Sequence, residues 1–293
     1  MKHKKIEVKN EYREFLESFA DVRKKLRVVL DCSNGATGIL APSLEMENVE
    51  TRIINQKMDG NFPAHGPDPT APRAADDAHK AVKRFKADLG VVFDGDGDRA
   101  VFIDDKGRDV PSYVILYLLS LFSDPPFVGD IMVHQGIKTV FPEMKNKVHA
   151  SRIGTRFVKE MMRKKDARIG AERSGHYYFR DFFKNESALL AAIKVMNAVS
   201  RLPYRFSDFL DLVPKMYEGH FNKEAENPKK IIRQLEKKWE TKAQYKGKKD
   251  GLLLEFENGW FIVRPSNTEP LLRFFVGAKT KGEKEKLVEA LRA

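Results

Sequence analysis

The densest chemistry in the sequence is FDGDGDRA at 93–100, where Asp94, Asp96 and Asp98 alternate with glycines directly after an apolar run. Glycine lets the chain turn sharply, so that neighbouring carboxylates converge on a single hard cation. Three carboxylates without Cys or His suit Mg2+ better than zinc. Arg99 sets a permanent positive charge beside them, suited to an anionic substrate or a partner carboxylate. The alternation also fits a calcium loop. However, the twelfth position, where an EF-hand needs glutamate, is Asp105, and the preceding strand pattern is wrong for that motif. An acidic surface turn is the plain alternative.

A second cluster is GAERSGHYYFRDF at 170–182. Glu172, Ser174 and His176 fall in a turn-rich stretch where their side chains can converge on a polyhydroxylated ligand. A carboxylate accepts from sugar hydroxyls, whereas Ser and His donate or accept as required. A surface loop with incidental polar residues remains open here, and Arg173 and Arg180 fit phosphate contact or plain solvent exposure equally. The third is RPSNTEP at 264–270, after the apolar GWFIV. Arg264 can grip a phosphate bidentately. Ser266, Asn267 and Thr268 offer hydroxyl, amide and backbone donors in a tight loop, the makings of an anion nest. Arg273 lies beyond the loop and either assists it or is a structural arginine. A metal, a polyol and a phosphate are not the combination that a nucleic-acid binder needs.

The composition is that of a soluble folded protein, neither collagen-like nor disordered. Of 293 residues, 42% are hydrophobic and 32% charged, enough to bury a core without disulfides. Cys32 is the single cysteine, which excludes an intrachain disulfide, a cysteine-based zinc cluster and a CxxC motif. The 53 basic and 42 acidic residues leave +11, favouring an anionic partner without naming it. The longest apolar stretch, YVILYLLSLF at 113–122, is too short to span a bilayer, and MKHKK leads into charged residues instead of a signal-peptide core. The expectation is a cytoplasmic protein with no membrane partner.

The elements that must position these loops follow from periodicity. LRVVL at 26–30 and LGVVF at 89–93 are continuous apolar runs, separated by a helical stripe over 72–86. Strand, helix and strand in that order imply a parallel sheet covered by helices. A second cycle begins near Pro111, with a helix at 113–123, a strand DIMVHQ at 130–135, and helices at 155–165 and 186–200. Past Pro214 the pattern turns to a charged helix, then to hairpin strands around GLLLEFENGWFIVR and LLRFFVGA. The basic stretch at 229–249 reads as an amphipathic surface helix followed by a turn. These shifts divide the chain into 1–110, 111–211 and 212–293.

The ordered occurrence of DCSNGATG, DGDGDR, GAERSGH and RPSNTEP resembles the alpha-D-phosphohexomutase family, which includes phosphoglucomutases and phosphomannomutases. The resemblance runs through essentially the whole chain and implies an α/β protein. Two consecutive α/β/α sandwich domains with mixed or parallel sheets, the family's second and third, would precede a smaller α+β phosphate-binding domain. It further implies Asp94, Asp96 and Asp98 as Mg2+ ligands with Arg99 in support. Glu172 and Ser174 would contact the sugar, and Arg264, Ser266, Asn267 and Thr268 the phosphate; His176 and Arg273 remain candidate substrate contacts from the residues themselves. The implied activity interconverts hexose 1-phosphate and hexose 6-phosphate, with a hexose 1,6-bisphosphate as intermediate or activator. YYFRDF is most similar to the bacterial phosphomannomutase branch, which favours mannose phosphate over glucose phosphate. Glu186 stands where that branch commonly has Asp, and Thr155 where several relatives have His.

One departure is large. The family's first domain carries a catalytic serine in a Thr-Ala-Ser-His-Asn-Pro-like loop, and this sequence contains no such loop. Ser33 and Ser174 belong to other turns. The chain alone is therefore expected to bind Mg2+ and hexose phosphate weakly with little turnover; the serine-bearing first domain is either encoded separately and bound in trans, or lost through gene truncation or a misassigned start codon. The alternative is a catalytically incomplete sugar-phosphate-binding or regulatory protein derived from a mutase.

Overall fold

The computed structural model describes residues 7–266 and 269–292, arranged around three five-stranded sheets. Helix α1 (Lys9–Glu17) leads to β1 (Leu26–Asp31), α2 (Thr37–Leu40), β2 (Val49–Ile54), α3 (Asp76–Phe85), β3 (Leu89–Phe93), β4 (Ala100–Asp104) and β5 (Asp109–Val110). These strands form the first sheet in the order β2-β1-β3-β4-β5. β1 runs parallel to β2 and β3, whereas β4 and β5 return antiparallel. β3 is buried at every position, as a strand covered on both faces requires. Asp31 pairs with Val92, so the turn after β1 and the acidic loop after β3 leave the same end of the sheet side by side. α3 carries Asp76 and Asp77 in its first turn and Lys83 and Arg84 in its last, complementing the helix dipole. It buries Ala78 and Val82 against Val29, Val92 and Ile103.

The second unit contains α4 (Ser112–Ser120), β6 (Phe127–Asp130), α5 (Ile131–Val140), β7 (Val148–Ser151), α6 (Thr155–Lys165), β8 (Ile169–Ala171) and β9 (Tyr177–Phe179). It ends with β10 (Asn185–Glu186), α7 (Ala188–Arg201) and α8 (Phe206–Leu212). The sheet order is β10-β9-β8-β6-β7, with β6 parallel to β7 and β8 and the remaining pairs antiparallel. The strand expected at 130–135 is instead helical. β6 ends at Asp130, whose carboxylate accepts the Val133 amide at 2.7 Å and starts α5. A short, wholly buried apolar run has no period to distinguish the two states. α7 is buried almost all round, because it packs on α1, α4, β3, β4 and β9 and so belongs to the core of both sheets.

The third unit holds β11 (Tyr217–Glu224), α9 (Pro228–Trp239), β12 (Tyr245–Gly247), β13 (Leu252–Glu255), β14 (Gly259–Pro265), β15 (Leu271–Ala278) and α10 (Lys281–Arg292). Its sheet, β11-β15-β14-β13-β12, is wholly antiparallel. The first element past Pro214 is a strand, not the expected charged helix. β11 lies at the sheet edge, where polar residues are tolerated and the apolar alternation that marks a strand is weak. The helix begins later, at Pro228, where the Asn227 side chain accepts the Lys230 amide at 3.0 Å. Ile231, Ile232, Leu235 and Trp239 face its core, as the amphipathic pattern predicts. Ile131 and Met132 of α5 pack on Leu253, Trp260 and Ile262, seating this unit against the second. Among the described residues no helix is long and apolar enough to cross a membrane.

Candidate active site

The acidic loop is organised around Asp94. Its Oδ1 accepts the backbone amides of Gly97, Asp98 and Arg99 at 2.9, 3.0 and 3.1 Å, and its Oδ2 accepts from Arg99 Nε at 2.8 Å. Arg99 reaches on to Asp68 at 3.0 Å, so one guanidinium ties the loop to the segment preceding α3. One carboxylate oxygen from each of Asp94, Asp96 and Asp98 lies within 4.8 Å of the others. Burial and the neighbouring Asp98 push the Asp94 carboxyl above the ordinary range, against the opposing pull of Arg99. Burial and Asp94 do the same to Asp96. Crowded, under-compensated carboxylates with no sulfur or imidazole in the set fit a hard divalent cation such as Mg2+.

The 172–176 turn lies directly against this loop. Arg99 and His176 form an antiparallel bridge, and Ala100 donates its amide to the Gly175 carbonyl at 2.9 Å. Gly175 has φ +94, and a Cβ there would stand 2.8 Å from the Ala100 carbonyl oxygen, so the close approach requires glycine. His176 Nδ1 lies 2.8 Å from Ser174 Oγ and 3.3 Å from Glu172 Oε2. Its Nε2 lies 3.3 Å from Asp98 Oδ1. Glu172 is buried, accepting the Gly154 amide at 2.6 Å and the Tyr178 hydroxyl at 2.5 Å. Seven of the twelve residues expected to form the site, Asp94, Asp96, Asp98, Arg99, Glu172, Ser174 and His176, are thus brought together at the seam of two sheets. Arg173 alternates to the other side. It lines a cavity of about 610 Å3 with Ser112, Tyr177 and Glu218, apart from those seven side chains.

The third loop is built from β14 and β15. Arg264 and Arg273 sit opposite each other on the paired strands. Arg264 Nη1 lies 3.3 Å from the largely buried Asp250, and Arg273 lies 3.6 Å from Glu269. The Ser266 amide closes the loop onto the Leu271 carbonyl at 2.8 Å. Asn267 and Thr268, expected in the same nest, lie outside the described residues. None of the ion pairs of Arg264 and Arg273 among the described residues reaches the first two loops.

Four supporting residues escape a reading by motif. Tyr178, its proton committed to Glu172, accepts from Thr155 Oγ1 at 3.0 Å, linking the start of α6 to Glu172. Asp130 is fully enclosed, and its Oδ2 accepts the Arg173 amide at 3.0 Å. Burial and then Glu172 raise the Asp130 carboxyl to about 7. Asp68 and His65 come from the loop before α3. Tyr178 lies inside YYFRDF, though with no role read for it, and Asp130 offered a signal as a helix-capping residue at a strand end.

Residues 10–107, 112–217 and 221–293 match the family descriptions Phosphoglucomutase/phosphomannomutase alpha/beta/alpha domain II, alpha/beta/alpha domain III and C-terminal domain. Phosphomannomutase from Vibrio cholerae is 32% identical over 293 residues, covering 94% of this chain and 63% of the relative. The chain therefore spans less than two thirds of that relative's length. A phosphoglucomutase/phosphomannomutase family protein from Burkholderia thailandensis superposes with a TM-score of 0.85 at 24% identity, covering 99% of this chain and 64% of its own. N-acetylphosphoglucosamine mutase from Aspergillus fumigatus, in complex with GlcNAc-6P and magnesium, shares the fold at a TM-score of 0.70 and 14% identity, over 97% of this chain and 69% of its own. With three consecutive regions of one family in order and a site built from their loops, this chain belongs to the phosphoglucomutase/phosphomannomutase family.

Proposed function

We propose that this chain is the metal-, sugar- and phosphate-binding portion of a phosphohexomutase that interconverts hexose 1-phosphate and hexose 6-phosphate in the cytoplasm. Mannose phosphate is the preferred substrate and glucose phosphate a second one. The portions 1–110, 111–211 and 212–293 serve as metal, sugar and phosphate domains around one cleft. The observation that carries this reading is the contact of the three-carboxylate cluster with the Glu172–Ser174–His176 turn through Asp98 and His176.

Asp94, Asp96 and Asp98 would hold Mg2+, which when bound neutralises charge on a transferring phosphoryl group. Glu172 and Ser174 orient the sugar by hydroxyl hydrogen bonds, and Tyr178 and the Gly154 amide hold the Glu172 carboxylate in place. His176 stands between Ser174 and Asp98, where it accepts or donates a proton at either ring nitrogen. Arg264, Ser266, Asn267, Thr268 and Arg273 grip the phosphate that is not reacting. Separate elements for metal and phosphate let a hexose 1,6-bisphosphate present either end to the acidic loop.

The regions matched are the family's domain II, domain III and C-terminal domain, so the reading takes the phosphoryl-carrying serine to be supplied by a first domain, in the same polypeptide or a separate one. The test is a coupled assay with mannose 1-phosphate and glucose 1-phosphate, Mg2+ and a catalytic amount of the 1,6-bisphosphate, with and without a serine-bearing first-domain polypeptide. Turnover that appears with the added polypeptide and vanishes in Asp96→Asn supports the reading. No turnover at saturating polypeptide, with no binding of hexose phosphate, overturns it.

A further inference from the structure

The turn after β1 is built as a support for the acidic loop. Ser33 and Asn34 are consecutive non-glycine residues in the left-handed region, with φ of 50 and 54. Such a pair is costly and persists only where its surroundings hold it, often beside functional sites. Here the holding contacts are all present. Asp31 is wholly buried and accepts the Ser33 amide at 2.9 Å and the Asn55 side-chain amide at 3.0 and 3.1 Å. Asn34 takes the Ala64 amide on Oδ1 at 3.2 Å and donates through Nδ2 to the Lys57 carbonyl at 2.9 Å.

The conformation so held aims two donors at the acidic loop. The Ser33 hydroxyl, 1% exposed, donates to the Phe93 carbonyl at 2.5 Å. That carbonyl belongs to the peptide unit from which Asp94 leaves β3, so the bond fixes the plane of that peptide. Two residues on, the Ala36 amide donates to the Gly95 carbonyl at 2.9 Å, while the Gly95 amide donates to the Pro67 carbonyl at 3.0 Å. A Cβ on Gly35 would fall 2.5 Å from the Gly95 oxygen, so the two loops touch backbone to backbone.

His65 completes the group but does not make it a nucleophilic triad. Its Nε2 faces both Asp31 and Ser33, at 3.4 Å each, and its buried Nδ1 has no partner among the described residues. A serine activated by an Asp-oriented histidine needs the two partners on opposite ring nitrogens. The Ser33 proton is already committed to a carbonyl.

We propose that Ser33 is a positioning residue for cation binding: its clamp on the Phe93 carbonyl sets the direction in which the Asp94 carboxylate enters the three-aspartate cluster. The proposal rests on the metal reading of that cluster.

The experiment measures Mn2+ binding to the full chain by electron paramagnetic resonance and calorimetric titration, alongside thermal unfolding. Asp96→Asn reports whether the cluster binds cation at all. Ser33→Gly removes the hydroxyl and relieves the left-handed strain, so it folds even if Ser33→Ala does not. Val82→Ala, on the buried face of α3, controls for general destabilisation of the same unit. The parent is expected to bind Mn2+ in an Asp96-dependent way. Both Ser33 variants are expected to raise the dissociation constant about tenfold, the size of one buried hydrogen bond. Val82→Ala should lower the melting temperature and leave that constant as in the parent. Ser33 variants within twofold of the parent, or Val82→Ala shifting equally, would overturn the positioning role while leaving the metal site standing. A parent with no Asp96-dependent binding would overturn both.

Discussion

His176 Nε2 lies 3.3 Å from Asp98 Oδ1, across the seam between the first and second sheets. The same ring meets Ser174 and Glu172 through Nδ1, so one imidazole touches a member of the acidic cluster and two of the polar turn. A cation that draws on Asp98 changes what His176 has to bond to, and the turn must respond. Linkage makes the effect reciprocal. Mg2+ is therefore expected to tighten mannose 1-phosphate binding by about fivefold in the parent and to have little effect in His176→Ala. Calorimetric titrations with and without Mg2+ check this, and an unchanged ratio in the variant would refute it.

The crowding of Asp94 and Asp96 implies a stabilising response to metal. Ligand bound only by the folded state adds about 2.7 kcal/mol at one hundred times its dissociation constant. Scanning calorimetry should show the melting temperature rising by several degrees with saturating Mg2+. Asp96→Asn should remove that rise and leave the metal-free protein folded, because Asp96 is exposed and the backbone amide its carboxylate meets is its own. A full Mg2+ response in the variant would exclude Asp96 as a ligand.

The contrast between Asp96 and Asp130 explains what the sequence could and could not disclose. Asp94, Asp96 and Asp98 are visible because glycines alternate with them in one contiguous run. The helix over 155–165 matches α6 residue for residue, since Val158 and Met162 repeat at the helical period. Asp130 and Tyr178 act on the polar turn from 43 and 6 residues away, through contacts that only the packed sheet creates. The error at 130–135 has the same root. Ile131, Met132 and Val133 are buried by neighbours on more than one side, so burial erased the period that would have marked a helix. Edge strand β11 failed for the opposite reason, having too little burial to pattern its residues.

Tyr178 offers a test of the sugar-binding role that leaves the carboxylate in place. Its hydroxyl donates to Glu172 Oε2, and burial together with Glu172 raises its pKa well above the ordinary phenol range, so it stays protonated. Tyr178→Phe removes one bond to a buried carboxylate, a loss of roughly 1.5–3 kcal/mol. The freed carboxylate should orient substrate less well. Mannose 1-phosphate affinity is expected to fall about tenfold, while Mn2+ binding by the acidic loop stays as in the parent. Parent-like sugar phosphate binding would remove Glu172 from the site.

Arg264 is held 3.3 Å from Asp250, which also accepts the Ile153 amide at 3.0 Å. Phosphate binding must therefore compete with the Asp250 carboxylate already paired with Arg264, and the planar guanidinium fork can serve both. Lysine supplies charge without that fork. Arg264→Lys is expected to weaken mannose 1-phosphate about tenfold and Arg264→Ala more, with free mannose unaffected by either. Arg264→Ala should also destabilise the fold, because it strips the main cation from a largely buried carboxylate. Equal losses for mannose and its phosphate would place the effect in folding and not in phosphate recognition.

His134 predicts how the seam between the second and third units responds to acid. Burial first, then Lys138 and Lys249, lower its imidazole to about 4, and its buried Nδ1 has no partner among the described residues. Lys138 is bound to Glu255 and lies 5.0 Å from the Tyr245 ring. An imidazole lowered in the folded state is neutral there while the unfolded chain takes up a proton near pH 6.5. Folding stability from this group is therefore complete above pH 6.5, declines by up to about 1.4 kcal/mol per pH unit below it, and levels off near pH 4. Urea unfolding at pH 7 and pH 5 should show a larger loss in the parent than in His134→Gln, with a difference on the order of 2 kcal/mol. The sign carries the argument: a variant that loses more than the parent on acidification would mean that His134 gains a proton and a carboxylate partner in the folded protein, most directly Glu255 after a shift of Lys138.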